Sequence, residues 1–308
     1  MGNPVSDTVT RIAVVGLGAM GLPMATRLAG AFPVTGFDVA CQRRDLLVAA
    51  GGTGAVSPAE AASSADVVLL AVRDEAQART ALFGSDGVSG ALRAGGTVIL
   101  TSTIGPEGAA GLAPRLAEAG IALVDAPISG GPVRAAAGDL LIVVGAAEPA
   151  LRSVRPVLDR LGSTVTVVGP RPGDGQILKT INQLLAGIHI AAAAEAVALA
   201  RGLGIDPTVV VDTLARGAAG SFMLADRGPR MVEAYTGGTA EVKSRIDIFV
   251  KDLGIVTSVG REAHVPLPLT AAAQQLYLMA ESAGLGAADD STVVTVLAPI
   301  PSDTPKGI

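Results

Sequence analysis

The sequence predicts an α/β dinucleotide-binding-type domain on a parallel sheet, followed by an all-α domain built on one long central helix. Three observations carry this. Short apolar runs alternate with helix-length segments up to about Gly169. Strand patterns then stop. Only helical patterns follow, and one apolar segment among them is far longer than its neighbours.

The strands come first. Arg11 to Val15 (RIAVV), Val34 to Asp38 (VTGFD), Asp66 to Val72 (DVVLLAV), Thr97 to Thr101 (TVILT) and Ile121 to Asp125 (IALVD) are short apolar runs. Leu140 to Val144 and Thr164 to Val168 are later candidates. Strands that are apolar throughout need cover on both faces, which implies a parallel sheet between helices. Ser57-Pro58 and Gly105-Pro106-Glu107 supply helix-start signals between them.

Pro170, Pro172, Gly173 and Gly175 form a joint. Helical patterns then cover 174–203, 206–217, 222–235, 241–262 and 267–283, with Gly202, Gly204 and Pro207 as punctuation. A helix of about 28 residues from Gln176 would be about 42 Å long. It is expected to run through the middle of its domain and into a partner subunit. The expected organisation is a disordered leader at 1–10, a nucleotide domain at 11–170, a helical substrate and dimerisation domain at 171–298, and a disordered tail at 299–308.

Composition excludes several classes. With 308 residues, two domains and real cores are expected. The chain is 49% hydrophobic with a net charge of −5, which excludes disorder. Cys41 is alone, so there is no disulfide scaffold, and two His with one Cys argue against a metal site. Mild acidity and the lack of a basic run argue against nucleic acid. Gly2 and Ser6 fit a bare myristoylation pattern, which one short match does not establish. The apolar stretch Ile177 to Leu203 holds Lys179, Asn182, Gln183, His189, Glu195 and Arg201, a load unsuited to lipid. A cytoplasmic enzyme without a membrane partner is expected.

Gly16-Leu17-Gly18-Ala19-Met20-Gly21 fits G-x-G-x-x-G between a predicted strand and a predicted helix. In that context it is a Rossmann-type phosphate loop. The first glycine permits the turn, the second lets a pyrophosphate approach, and the third lets helix and strand pack. Free N–H groups at the helix start attract the diphosphate. Asp38 lies 22 residues after Gly16. A carboxylate there accepts from adenosine ribose hydroxyls and repels a 2′-phosphate, which favours NAD over NADP. Arg43 and Arg44 argue the other way.

Four ordered segments carry a resemblance: GLGAMGLPM at Gly16–Met24, DAPISGGPVRAAAG at Asp125–Gly138, GQILKTINQ at Gly175–Gln183 and IDIFVKDL at Ile246–Leu253. Together they resemble the β-hydroxyacid dehydrogenase family, which includes 3-hydroxyisobutyrate dehydrogenases and tartronate semialdehyde reductases. The resemblance covers about residues 11–297. NQLLAGIHIAAAAEA, DIFVKDLGIV, PLPLTAAA and GLGAADDS resemble its L-threonate dehydrogenase branch.

Alcohol oxidation needs a base for the hydroxyl proton. A partly desolvated ammonium can have its pKa lowered for that task. The resemblance assigns the role to Lys179. Asn182 and Gln183, three and four residues on, share its helical face. Either orients substrate or holds the lysine, and the sequence does not rank them. Ser129, Gly130 and Gly131 follow a strand, and two glycines let backbone N–H groups face an anion. The resemblance implies that this loop binds the substrate carboxylate. Ser102 and Thr103 follow the fourth strand at its carboxyl end, where open α/β sheets bind ligands. By resemblance one of them meets the nicotinamide side, with Thr103 favoured. Lys251 resembles the family's cleft lysine near the cofactor, and Asp247, four residues earlier, offers a plain helix-surface pair instead. His189, in the long helix expected to be buried, and His264, in a loop before Pro266, read as structural. Asp289-Asp290-Ser291 reads as a helix N-terminus, with a part in closing the substrate pocket as the functional alternative.

The implied function is NAD-dependent oxidation of a small hydroxy acid, with a four-carbon sugar acid such as L-threonate favoured, in a homodimer or homotetramer. 3-Hydroxyisobutyrate dehydrogenase or tartronate semialdehyde reductase activity is the alternative within the family. An imine reductase is disfavoured by Lys179, since those enzymes generally lack the catalytic lysine. A 6-phosphogluconate dehydrogenase is disfavoured by the short helical half. A non-catalytic NAD-binding protein is disfavoured by Lys179, Ser129 and Lys251.

Overall fold

The computed structural model describes residues 10–235 and 241–297. The expected tail, nearly all of the leader, and the pattern at Gly2 and Ser6 lie outside the described residues. The chain divides into two units, one ending at Lys179 and the other beginning at Thr180.

The first unit alternates strands and helices: β1 (Ile12–Val15), α1 (Gly21–Ala29), β2 (Val34–Phe37), α2 (Cys41–Ala49), β3 (Thr53–Gly54), α3 (Pro58–Ala62), β4 (Val67–Leu70), α4 (Glu75–Phe83), β5 (Thr97–Leu100), α5 (Pro106–Glu118), β6 (Ala122–Asp125), β7 (Ile128–Ser129), α6 (Gly131–Ala137), β8 (Leu140–Gly145), α7 (Glu148–Leu161), β9 (Gly162–Gly169) and the first turns of α8 (Asp174–Gly202). The sheet order runs β3-β2-β1-β4-β5-β6-β8. Strand order therefore reverses between β1 and β4, and the carboxyl ends there are where such sheets bind ligands. Side-chain alternation fills a core on each face. Ile12 and Val14 of β1 join one cluster, while Ala13 and Val15 join the other. Helices cover both, as fully apolar strands require.

The sheet is not wholly parallel. β8 pairs antiparallel with β6 and β7, and β9 runs parallel to β8. β6 and β7 share one register against β8, with Asp125 opposite Gly145 and Ile128 opposite Ile142. Pro127 lies in the gap between them. Its carbonyl accepts from Val143 at 3.0 Å, and it has no N–H to return. An apolar run reads alike in either direction, so the sequence pattern did not reveal this reversal.

The second unit is helical. It holds the rest of α8, then α9 (Pro207–Leu214), α10 (Phe222–Ala234), α11 (Ile246–Glu262), α12 (Pro268–Ala280), a 3-10 turn at Asp290–Val293 and α13 (Val294–Leu297). α8 puts Ala186, Ile190, Ala193, Ala194 and Val197 into this unit's core, against Met231, Phe249, Leu253 and Tyr277 among others. By length and composition α8 is apolar enough to cross a membrane, and 50% of its most apolar window is buried inside the fold. The division falls within α8 rather than at the Pro- and Gly-rich joint, because the first turn of α8 is tied into the sheet, as described next.

Candidate active site

The three glycines of the phosphate loop have three separate reasons. A Cβ on Gly16, at φ +93°, would lie 2.4 Å from the Ala71 carbonyl oxygen. One on Gly21 would lie 1.9 Å from the Gly16 oxygen. One on Gly18 would meet nothing within 4 Å. So Gly16 and Gly21 serve packing, while Gly18 leaves open space beside the backbone. No side chain caps α1. Leu17 is buried in the core and offers only its backbone, whereas Ala19 is exposed and Met20 half-buried. An open glycine at an uncapped helix start fits a dinucleotide's diphosphate.

Asp38 follows β2. Its Oδ2 accepts from the Leu17 N–H at 2.7 Å and its Oδ1 from the Ala40 N–H at 2.9 Å. Each oxygen keeps a second lone pair, so the carboxylate can still receive ribose hydroxyls. The opposing arginines separate. Arg44 donates to the Ala55 carbonyl at 2.9 Å, while Arg43 is exposed. Arg43 is therefore the more open cation for a 2′-phosphate, while Arg44 keeps its charge and its remaining N–H donors.

At the end of β5, Ser102 is buried. Its Oγ accepts from the Val72 N–H at 2.9 Å, so this hydroxyl serves the sheet. Thr103 is half-buried, the more available of the pair. The loop they begin is tied to α8 by a residue that sequence reasoning passed over. Gln176, fully buried, accepts from the Ile104 and Gly105 N–H groups at 3.1 and 3.2 Å. Its amide nitrogen donates to the Ser102 carbonyl at 3.0 Å and to Asp125 Oδ1 at 2.8 Å. Asp125, ending β6, receives the Gly173 and Gln176 N–H groups on Oδ2 at 2.9 and 3.0 Å. It thereby caps α8, where a carboxylate suits the helix dipole. A Cβ on Gly175 would come within 2.9 Å of that oxygen, so only glycine lets the carboxylate reach the helix start. Burial pushes the Asp125 carboxyl up to about 6, against the lowering effect of its Gln176 and backbone hydrogen bonds. Lys179, one turn past Gln176, is buried at 7% exposure.

Ser129 ends β7, and the two residues after it have φ of +145° and +77°. A Cβ on Gly130 would press on Leu140 at 3.0 Å, while one on Gly131 would meet nothing within 4 Å. This loop is open beside Gly131, and Ser129 and both glycines are half-buried.

In the second unit, Gln183, Asp252 and Lys251 form one polar group. Gln183 is buried at 7% exposure and donates through a short bond to Asp252 Oδ2. Its amide oxygen accepts from Asn182 at 2.8 Å, and Lys251 Nζ lies 2.7 Å from Asp252 Oδ1. The two amides that the sequence left unranked therefore differ. Gln183 is oriented at both ends, and Asn182, half-buried, holds it. Lys251 sits against Asp252, while Asp247 pairs with Arg245. Asp252 orients both Gln183 and Lys251. Its adjacency to Lys251 was the available signal.

Asp289 does cap the 3-10 turn, accepting from the Ser291 N–H and Oγ at 3.1 and 2.6 Å. It also belongs to a buried ion cluster. Arg230 reaches Asp289 at 3.0 Å and Asp290 at 3.4 Å, and Arg227 reaches Asp290 at 3.0 Å. Burial raises the Asp290 carboxyl despite Arg227. His189 is exposed on α8, contrary to its expected place in a buried stretch, because it falls on the helix face turned from the core. His264, at φ +55°, ends α11 as a left-handed residue, with Val265 N–H on the Gly260 carbonyl at 2.9 Å. That is a structural role.

Residues 11–169 match the family model described as the NAD binding domain of 6-phosphogluconate dehydrogenase. Residues 173–297 match that described as the NAD-binding of NADP-dependent 3-hydroxyisobutyrate dehydrogenase. The chain belongs to the β-hydroxyacid dehydrogenase family. It is 42% identical over 290 residues to L-threonate dehydrogenase of Cupriavidus necator, covering 92% of this chain and 95% of that one. The crystal structure of a 3-hydroxyisobutyrate dehydrogenase from Salmonella typhimurium superposes with a TM-score of 0.87 at 38% identity, over 93% of this chain and 99% of that one. A Mycobacterium tuberculosis 3-hydroxyisobutyrate dehydrogenase with L-serine gives 0.80 at 29% identity, over 94% and 99%. As a member of this family the chain is an oxidoreductase of the NAD-binding, hydroxyacid-dehydrogenase type.

Proposed function

We propose that the chain oxidises a four-carbon sugar acid, L-threonate first among candidates, using NAD in preference to NADP. The observation that carries the cofactor choice is the Asp38 carboxylate at the phosphate loop. The 42% identity to an L-threonate dehydrogenase supports the substrate.

Gly16 to Gly21, Asp38 and Thr103 would hold the dinucleotide, and the resemblance adds Lys251 to its contacts. Bound NAD would supply the acceptor for the hydride leaving the carbinol carbon. Lys179 takes the hydroxyl proton and returns it in the reverse direction. General acid–base work of this kind contributes roughly 10²–10⁴-fold. Ser129, Gly130 and Gly131 receive the substrate carboxylate, and Asn182 and Gln183 orient the hydroxyl and the lysine.

The enzyme is proposed to be cytoplasmic and a homodimer or homotetramer. Ile177, Ile181 and Leu185 form an exposed apolar row near the start of α8, and Leu199 and Leu203 another near its end, between 49% and 67% exposed, which suits a second copy. Light scattering giving a monomer at micromolar concentration would contradict the assembly. The activity is tested by NADH formation at 340 nm over L-threonate, D-erythronate, glycerate, 3-hydroxyisobutyrate and 3-hydroxypropionate, with NADP in parallel. Preference for one four-carbon acid with NAD is expected. Turnover of 3-hydroxyisobutyrate alone, or with NADP alone, contradicts the reading.

A further inference from the structure

We infer that Gln176 is a positioning residue for the reaction, setting the lysine-bearing turn of α8 against the loop at the end of β5. This rests on the dehydrogenase reading above, in which Lys179 and Thr103 work at the reacting groups. The geometry is specific. One side chain, fully buried, makes four hydrogen bonds to three places: the 104–105 backbone, the Ser102 carbonyl and Asp125.

The amide cannot be turned round. Its oxygen faces two N–H donors, and its nitrogen faces a carbonyl and a carboxylate. A flip would set donors against donors and acceptors against acceptors. The loop containing Thr103 is bracketed by these bonds, at Ser102 on one side and at Ile104 and Gly105 on the other. Lys179 lies three residues after Gln176 on the same helix, whose first turn Asp125 holds at Gly173 and Gln176. A shift in this clamp changes the separation between the lysine's turn and the Thr103 loop. Hydride transfer is sensitive to such shifts, at roughly 10²-fold per 1 Å of misplacement. The phosphate loop and Asp38 lie on other elements, at the ends of β1 and β2, so cofactor binding is expected to suffer far less than turnover.

The test compares Gln176→Leu and Gln176→Glu with the wild type. Active sites are counted by NADH titration, so that unfolded protein does not enter kcat. Gln176→Leu is expected to lower kcat per titrated site by roughly 10²-fold, with the Kd for NADH changed far less than kcat. Gln176→Glu keeps the shape and the acceptor for Ile104 and Gly105. Its second oxygen faces Asp125 Oδ1, and two such carboxylates share a proton rather than both ionising. The protonated pair restores a donor bond. The ratio of variant to wild-type kcat should therefore rise as pH falls, and the wild type supplies the reference for the pH dependence the two share. A Gln176→Leu enzyme with wild-type kcat per site overturns the inference. So does a Gln176→Glu ratio that stays flat with pH, which decides the matter even if the Leu variant does not fold. Failure of the wild type to oxidise any hydroxy acid overturns the dehydrogenase reading and this inference together. Turnover lost in Lys179→Ala but kept in Gln176→Leu overturns this inference alone.

Discussion

Asp38 Oδ2 accepts the Leu17 N–H at 2.7 Å, so the carboxylate that closes β2 also holds the first turn of the phosphate loop. Asp38→Ala removes the ribose acceptor and leaves that N–H without its partner. Hydrogen bonds to charged groups contribute about 1.5–3 kcal/mol, so NADH affinity should fall by roughly 10- to 100-fold. NADPH affinity should fall less, because repulsion of the 2′-phosphate is removed as well. Fluorescence titration with both nucleotides checks this, and equal losses would count against the NAD argument.

The glycines of that loop separate folding from binding. Gly18→Ala adds a methyl where nothing lies within 4 Å and φ is not positive. It should melt like the wild type yet bind NADH more weakly. Gly21→Ala places its methyl 1.9 Å from the Gly16 oxygen. Forcing backbone apart should lower the melting temperature clearly or prevent folding. Thermal melts of the two variants with and without NADH distinguish these outcomes.

Asp125 gives stability a pH dependence of known sign. Its carboxyl is raised from 3.8 to about 6 by burial. A raised carboxyl favours the folded state fully below pH 3.8, and that advantage is lost as pH rises through about 6. Asp125→Asn does not titrate. Its amide also sets a donor against Gln176 Nε2, which adds a constant cost. The variant should therefore gain on the wild type between pH 4 and pH 7, by on the order of 3 kcal/mol, whatever the offset. Urea unfolding at several pH values reads that slope.

The buried cluster in the second unit is sensitive to losing one member. Arg230→Met leaves Asp289 and Asp290, at 1% and 0% exposure, facing each other with Arg227 as the remaining cation on Asp290. Breaking a buried pair this way costs about 3–5 kcal/mol. Chemical denaturation should show that loss. A change under about 1 kcal/mol would mean the cluster is solvated.

What the sequence revealed follows from how local each signal is. Ile12 to Val15 and Val67 to Leu70 declare buried strands because every residue is apolar, and Gly16, Gly18 and Gly21 declare a turn because their spacing does. The reversal at β8 was hidden, since Leu140 to Val144 is equally apolar read either way. Arg43 and Arg44 looked equivalent until the Ala55 carbonyl claimed one of them. Gln176 and Asp252 were hidden for a common reason. A polar residue inside a helix reads as exposed unless its partners are known. Those of Gln176 lie 51 to 74 positions away in the chain, and Gln183 lies 69 positions from Asp252.

In the proposed reaction Lys179 moves the hydroxyl proton during NAD-dependent oxidation of a small hydroxy acid. The most direct measurement is NADH formation by Lys179→Ala on the wild type's best substrate, with NADH binding measured on the same sample. Turnover reduced by roughly 10²–10⁴-fold is expected, with cofactor affinity near that of the wild type. Undiminished turnover in a variant that binds NADH normally would contradict it.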